Sequence, residues 1–105
     1  MTLDSFAALL DDVGVPVAFR AFEQENAKPL PFICWLYLND EAFAADGVAY
    51  FSTRRVQIEL YTKYVDFALE QKLEGVLTKA GLFFTKSMEY IESEGCYQVL
   101  YELNI

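Results

Sequence analysis

The stretch Arg55–Tyr61 alternates without a break: Val56, Ile58 and Leu60 point one way, Arg55, Gln57, Glu59 and Tyr61 the other. Successive side chains of an extended strand leave opposite faces, so this pattern demands a sheet with one covered face and one wetter face. A lone strand cannot supply that cover. The chain must hold further strands to pair with this one, and apolar elements to lie on the Val56 face.

Two amphipathic helices can provide the cover. Leu3, Phe6, Ala7, Leu10 and Val13 recur at helical spacing, Thr2 or Asp4 can cap the start, Gly14 stops the element and Pro16 bars its continuation. A second helix is expected from about Val65 to Lys79, with Leu69, Leu73, Val76, Leu77 and Ala80 as its buried stripe, Asp66 near its start and Gly81 after its end. Glu70, Lys72, Glu74 and Lys79 are assigned to its wet side. Gly75, costly in a helix interior, is read as a point of close approach to a neighbouring backbone.

Further strands are expected at Val15–Phe22, with Val17 and Phe19 inward, and at Phe32–Leu38, which is apolar on both faces. Between them, Glu23–Pro31 reads as a loop. The last two strands are Leu82–Tyr90 and Cys96–Ile105, joined at Ser93-Glu94-Gly95, where Gly95 can take a positive φ. Tyr97, Val99, Tyr101, Leu103 and Ile105 share one face of the final strand. Phe83, Phe84, Tyr90, Tyr97 and Tyr101 are assigned to the core. The expected order is α-β-β-(β)-β-α-β-β over residues 1–105, a single α+β domain with two helices on one face of a mainly antiparallel sheet.

The bracketed strand stands for Asn39–Thr53, where the pattern loosens. Asp46-Gly47 is a strong tight-turn signal, so the segment is a small hairpin or an arm projecting from the body. Phe43, Tyr50 and Phe51 flank that turn. Aromatic rings there suit an interface with another subunit better than the surface of a monomer. Arg54-Arg55 is the one adjacent basic pair in the chain. It either guards a strand edge or forms a cationic patch for an acidic patch on another subunit. Phe43, Tyr50, Phe51, Arg54 and Arg55 are therefore the candidate interface residues.

Composition excludes more than it selects. Hydrophobic residues make up 54% of the 105 residues, above the roughly 45–50% of ordinary domains, which excludes intrinsic disorder. With 16 acidic against 8 basic residues the formal charge is −8, which disfavours nucleic acid as a partner. Apolar runs such as Phe32–Leu38 fall far short of the ~20 residues that cross a bilayer, so no membrane is expected as a partner. No secretory signal is visible, and Cys34 and Cys96 read as buried free thiols of a cytosolic protein. They could pair only if their strands are neighbours.

Catalytic chemistry finds little footing. The chain has no histidine, which removes the usual general base near neutral pH, every Ser-His-Asp arrangement and nearly all zinc sites. The glycines at 14, 47, 75, 81 and 95 are too scattered for a phosphate loop. Asp40, Glu41 and Asp46 lack the spacing of a calcium loop. Asp11 and Asp12, and Glu89, Glu92 and Glu94, read as hydrated surface charges. No enzyme, metal site or cofactor is expected.

Three stretches taken together resemble a known family. They are VPVAFRAFE…KPLPFICWLY (Val15 to Tyr37), RVQIELYTKYVDFALEQKLEGVL (Arg55 to Leu77) and LFFTKSMEYIESEGCYQVLYELNI (Leu82 to Ile105), carrying LPF, IELYTK and YIESE at characteristic spacings. This ordered set resembles small tail-completion proteins of long-tailed bacteriophages and prophages of Gram-positive hosts. The resemblance implies a tail-terminator-like virion protein without catalytic residues. It would form a ring of its own copies, commonly a hexamer, at the head-proximal end of the tail tube. Its implied partners are the major tail tube protein and a head–tail connector protein, in the virion and, during assembly, in the host cytoplasm. A head–tail connector of adaptor or stopper type is the nearest alternative, and an acidic inhibitor or small binding module is more remote. A ring needs one patch of a subunit to meet a different patch on the next. The excess aromatic surface and the basic pair in an acidic chain are suitable material for such a contact.

Overall fold

The computed structural model describes residues 1–22, 28–45 and 47–105. Residues 23–27 of the expected loop and Asp46 of the expected turn lie outside the described residues, as do the side chains at 43–45 and 48–51. In chain order the elements are α1 (Leu3–Asp11), β1 (Val17–Phe19), β2 (Phe32–Ala45), β3 (Val48–Thr62), α2 (Phe67–Lys79), β4 (Phe84–Ile91) and β5 (Cys96–Asn104). The strands form one sheet in the order β1-β2-β3-β5-β4. β1 runs parallel to β2, and every other neighbouring pair is antiparallel. The fold is α+β.

Registers carry the alternation of Arg55–Tyr61 across the sheet. Ile33, Leu60, Val99 and Met88 form one row, and Trp35, Ile58, Tyr101 and Lys86 the next. Phe6 and Leu10 of α1 and Leu73 and Leu77 of α2 are buried in the same core as Ile33, Trp35, Ile58, Leu60, Val99 and Tyr101. Both helices therefore cover a single face. Phe6 meets Trp35 edge-on at 5.4 Å, and Phe84 meets Tyr101 at 5.3 Å.

Helix ends follow local chemistry. The Thr2 hydroxyl accepts from the Ser5 N–H at 3.0 Å and caps α1. The Asp66 carboxylate accepts from the Leu69 N–H at 3.1 Å and caps α2. An N-cap stands outside the helix, so α2 begins at Phe67 rather than Val65. After α2, Gly81 takes φ 77°, a conformation that suits glycine, and turns the chain toward β4.

Several expectations need correction. The bracketed strand is not a separate element, because β2 and β3 run straight through Asn39–Thr53. β1 is only Val17–Phe19, since Arg20 at φ 71° leaves the strand and Phe22 instead meets Phe32 at 5.4 Å. Phe83 is 92% exposed, because its neighbour Phe84 faces the core and adjacent extended residues point oppositely. Tyr90 on β4 is also exposed. Glu70 is not on the wet side of α2: it is 1% exposed. A Cβ on Gly75 would meet nothing within 4 Å, so no close backbone approach explains that glycine. Cys34 and Cys96 are buried and free, on β2 and β5, which β3 separates.

Candidate assembly surface

β2 and β3 are long, and their neighbours are short. β1 borders β2 only at Ile33–Trp35, and β5 borders β3 from Thr62 back to Arg55. Backbone bonds between Arg54 and Ile105, at 2.9 and 2.8 Å, extend that border by one residue. Beyond it, residues 41–45 and 48–53 pair with each other alone among the described residues. This two-stranded ribbon is about 17–20 Å long at ~3.3 Å per residue. It contributes to a longest dimension of 50 Å against 28 and 25 Å, and to a radius of gyration of 15.0 Å where a compact chain of this length has about 13 Å.

The ribbon closes at Ala45↔Val48, with Gly47 at φ 75° in the turn. Phe43 and Phe51 are register partners, and the register shifts between Phe43 and Ala44 and between Tyr37 and Asn39. Such irregularities sharpen local twist. Phe43, Tyr50 and Phe51 thus belong to the ribbon, whereas Arg54 and Arg55 stand at its root.

The two arginines do different work. Arg55 Nη2 lies 2.7 Å from Glu102 Oε2, and its Nη1 donates to Asn104 Oδ1 at 3.5 Å, on the helix-free face. Arg54, pointing to the other face and exposed, donates from Nη1 to the Met1 carbonyl at 3.3 Å. No carboxylate lies within ion-pair distance of Arg54 among the described residues. Asp40, its register partner, instead accepts from the Tyr37 hydroxyl at 2.8 Å, a bond that holds the phenol pKa above its ordinary value.

On the far side of the sheet, β4 presents an edge with no strand beyond it among the described residues. Its register with β5 runs unbroken from Phe84↔Leu103 to Ile91↔Cys96. Thr85 through Tyr90 are all exposed. Met88 and Tyr90 are flanking apolar side chains on the helix-side face of that edge.

Behind this edge lies a charged seam that the sequence reading missed. Lys86 Nζ sits 2.7 Å from Glu70 Oε1 and 2.7 Å from Glu74 Oε2, and Tyr101 donates its hydroxyl proton to Glu74 Oε2 at 2.8 Å. Burial alone would lower the Lys86 pKa, but hydrogen bonds to the two carboxylates outweigh it and the net shift is upward. For Glu74, burial pushes up, and the bonds from Lys86 and Tyr101 bring the net shift down. Burial, then the bond to Glu74, raises the Tyr101 phenol well above its ordinary value. The seam ties α2 to β4 and β5. One signal could have revealed it: Lys86 falls in phase with Phe84 and Met88, and an inward cation requires a carboxylate from the covering helix.

None of these groups is arranged for bond-making chemistry. Burial raises both cysteine thiols, Glu59 adding to the effect at Cys34 and Glu94 at Cys96, which disfavours the nucleophilic thiolate. Tyr61 is pushed up to about 12, chiefly by burial. No group of three or more metal-ligating side chains gathers among the described residues. An open groove of about 480 Å³ lies between α1 and β1–β2, lined by Leu3, Asp4, Ala7, Asp11, Val17, Phe19 and Trp35. Its polar groups are two carboxylates of one helix, with no opposing acid, base or cation.

No protein-family model matches the chain, nor does any curated protein sequence. Among solved structures, a chain of the virion of a native gene transfer agent (GTA) particle shares the fold. The TM-score is 0.58 at 16% sequence identity, over 97% of this chain and 85% of that one.

Proposed function

We propose that this chain is a structural component of a phage-like virion that acts by assembling with copies of itself and other virion proteins, without catalysis. In the fuller reading it is a tail-terminator-like protein. Its copies close into a ring, commonly a hexamer, at the head-proximal end of the tail tube, where they stop tube growth and offer a surface for the head. The major tail tube protein and a head–tail connector protein are its partners, in the virion and in the host cytoplasm during assembly.

One observation carries this reading. The ribbon at 41–45 and 48–53 lacks any cover from its own chain among the described residues, and isolated two-stranded ribbons are at best marginally stable in water. A projection of that kind is expected to find its cover on another molecule. The shared fold with a GTA virion chain supports the virion as the setting. The tail-completion motifs support the position within it. Phe43, Tyr50, Phe51 and Arg54 are the residues we assign to subunit contact. Arg55 braces the root through Glu102.

Sedimentation of the pure protein, alone and with tail tube protein, tests the proposal. A ring-sized species, formed alone or on tube ends, is the expected result. Association with a portal-side protein instead of the tube would favour the connector role, and a monomer under all these conditions would overturn the assembly reading.

A further inference from the structure

We infer that the β2–β3 ribbon of one copy docks on the free edge of β4 in the next, adding its strands to the neighbour's sheet. The inference rests on the assembly reading above and names the surface that receives the ribbon. Each partner supplies what the other lacks. β4 offers an edge from Phe84 to Ile91, regular throughout and without proline or bulge. Soluble proteins blunt such edges by shortness, bulges or charge. The opposite edge strand β1 is three residues long, whereas on β4 the inward Lys86 is already engaged by Glu70 and Glu74 and leaves the backbone edge open. The ribbon offers a strand run from Val48 to Thr53, short enough to lie within the length of β4. Docking would satisfy the backbone groups of both edges and give the ribbon the third strand that a stable sheet requires.

Charge fits the same partner. The β4–β5 hairpin carries Glu89, Glu92 and Glu94, none of which has a cation within ion-pair distance among the described residues. At the ribbon's root stands Arg54, without such a carboxylate. Laid parallel to β4, the Val48–Thr53 strand carries its root, and with it a lone cation, to the Ile91 end beside these carboxylates. Met88 and Tyr90 flank the edge with apolar surface for an aromatic-bearing ribbon. Because ribbon and edge are different patches, the contact is heterologous and propagates from copy to copy, as a ring requires.

A complementation experiment tests this. In one variant a two-residue Asn-Gly turn replaces residues 41–53, joining the register partners Asp40 and Arg54. In the other, proline blocks β4. Ser87→Pro and Met88→Pro are both made, because successive N–H groups point to opposite sides of a strand. One of the two breaks a bond to β5 and lowers the melting temperature; the other strips only the outer edge and is the variant used. Sedimentation is followed with rising concentration and with added tube protein. Each variant alone is expected to associate about a hundredfold or more weakly than the natural chain, whereas their mixture forms a one-to-one pair that grows no further. Amide exchange on the natural chain supplies a second readout, with residues 84–91 slowing on assembly. The inference is overturned, with the assembly reading intact, if the natural chain assembles but the mixture stays monomeric. Unimpaired assembly of either variant alone, or unchanged β4 exchange, overturns it equally. A natural chain that never assembles removes both.

Discussion

The seam between α2 and β4 and the ribbon at 41–53 both depart from the apolar core, and they solve opposite problems. In the seam, Glu70 is buried and its charge is met inside the molecule by Lys86 at 2.7 Å. In the ribbon, the backbone leaves the body and its outer edges are met by nothing from the same chain among the described residues. A change in the seam should therefore be felt as lost stability, and a change in the ribbon as lost assembly. Three measurements can break or sharpen that contrast.

The largest effect belongs to Lys86→Met. Removing the cation strands a buried carboxylate, and urea unfolding should show a loss of about 3 kcal/mol. The pair Lys86→Met with Glu70→Leu should recover most of that, because the stranded charge is then gone. A double variant no better than the single one would remove Glu70 as the cause.

The same seam sets a pH window, with a smaller effect. The Glu74 pKa is lowered, so its contribution is complete above the ordinary carboxylate pKa and is lost as pH falls through the folded value. The Lys86 pKa is raised, so its contribution is complete below the ordinary lysine pKa and is lost as pH rises through the folded value. Unfolding free energy should be flat from about pH 5 to pH 8 and fall below that window as Glu74 is protonated. It should also fall above the window, first as the unfolded chain ionises the two thiols that burial keeps neutral in the fold and then as Lys86 is reached. In the Lys86→Met variant the alkaline decline should shrink.

Smallest for stability is Tyr50→Asp combined with Phe51→Asp. It should change the unfolding free energy by less than about 0.5 kcal/mol and abolish self-association in sedimentation. Unfolding of the monomer instead would put these side chains in the core.

The sequence made the body readable and left both departures obscure. Alternation at Arg55–Tyr61 and the helical stripes at Leu3–Val13 and Leu69–Leu77 depend on burial against a sheet, and local periodicity records burial well. Ala80, assigned to the same stripe, is the exposed C-cap of α2, past the last turn that meets the sheet. Glu70 was misread because periodicity records where a side chain points, not what awaits it. Its neighbours Leu69 and Leu73 already mark that flank of α2 as facing inward, but the charge made it look wet. Phe83 was misread for a similar reason: two adjacent aromatics in an extended segment cannot both face the core. The ribbon was only half legible. Asp46-Gly47 announced a turn, but the continuity of β2 and β3 through Asn39–Thr53 is set by cross-strand pairing, which leaves no alternation when neither face has a fixed cover.

The central claim is assembly on a tube, and tube length reports it most directly. Tail tube protein polymerised alone, and again with this chain added, should give long open tubes in the first case. In the second, tubes should be shorter and stopped, with a ring at one end. Identical length distributions, with the added chain left monomeric in the supernatant, would contradict the account.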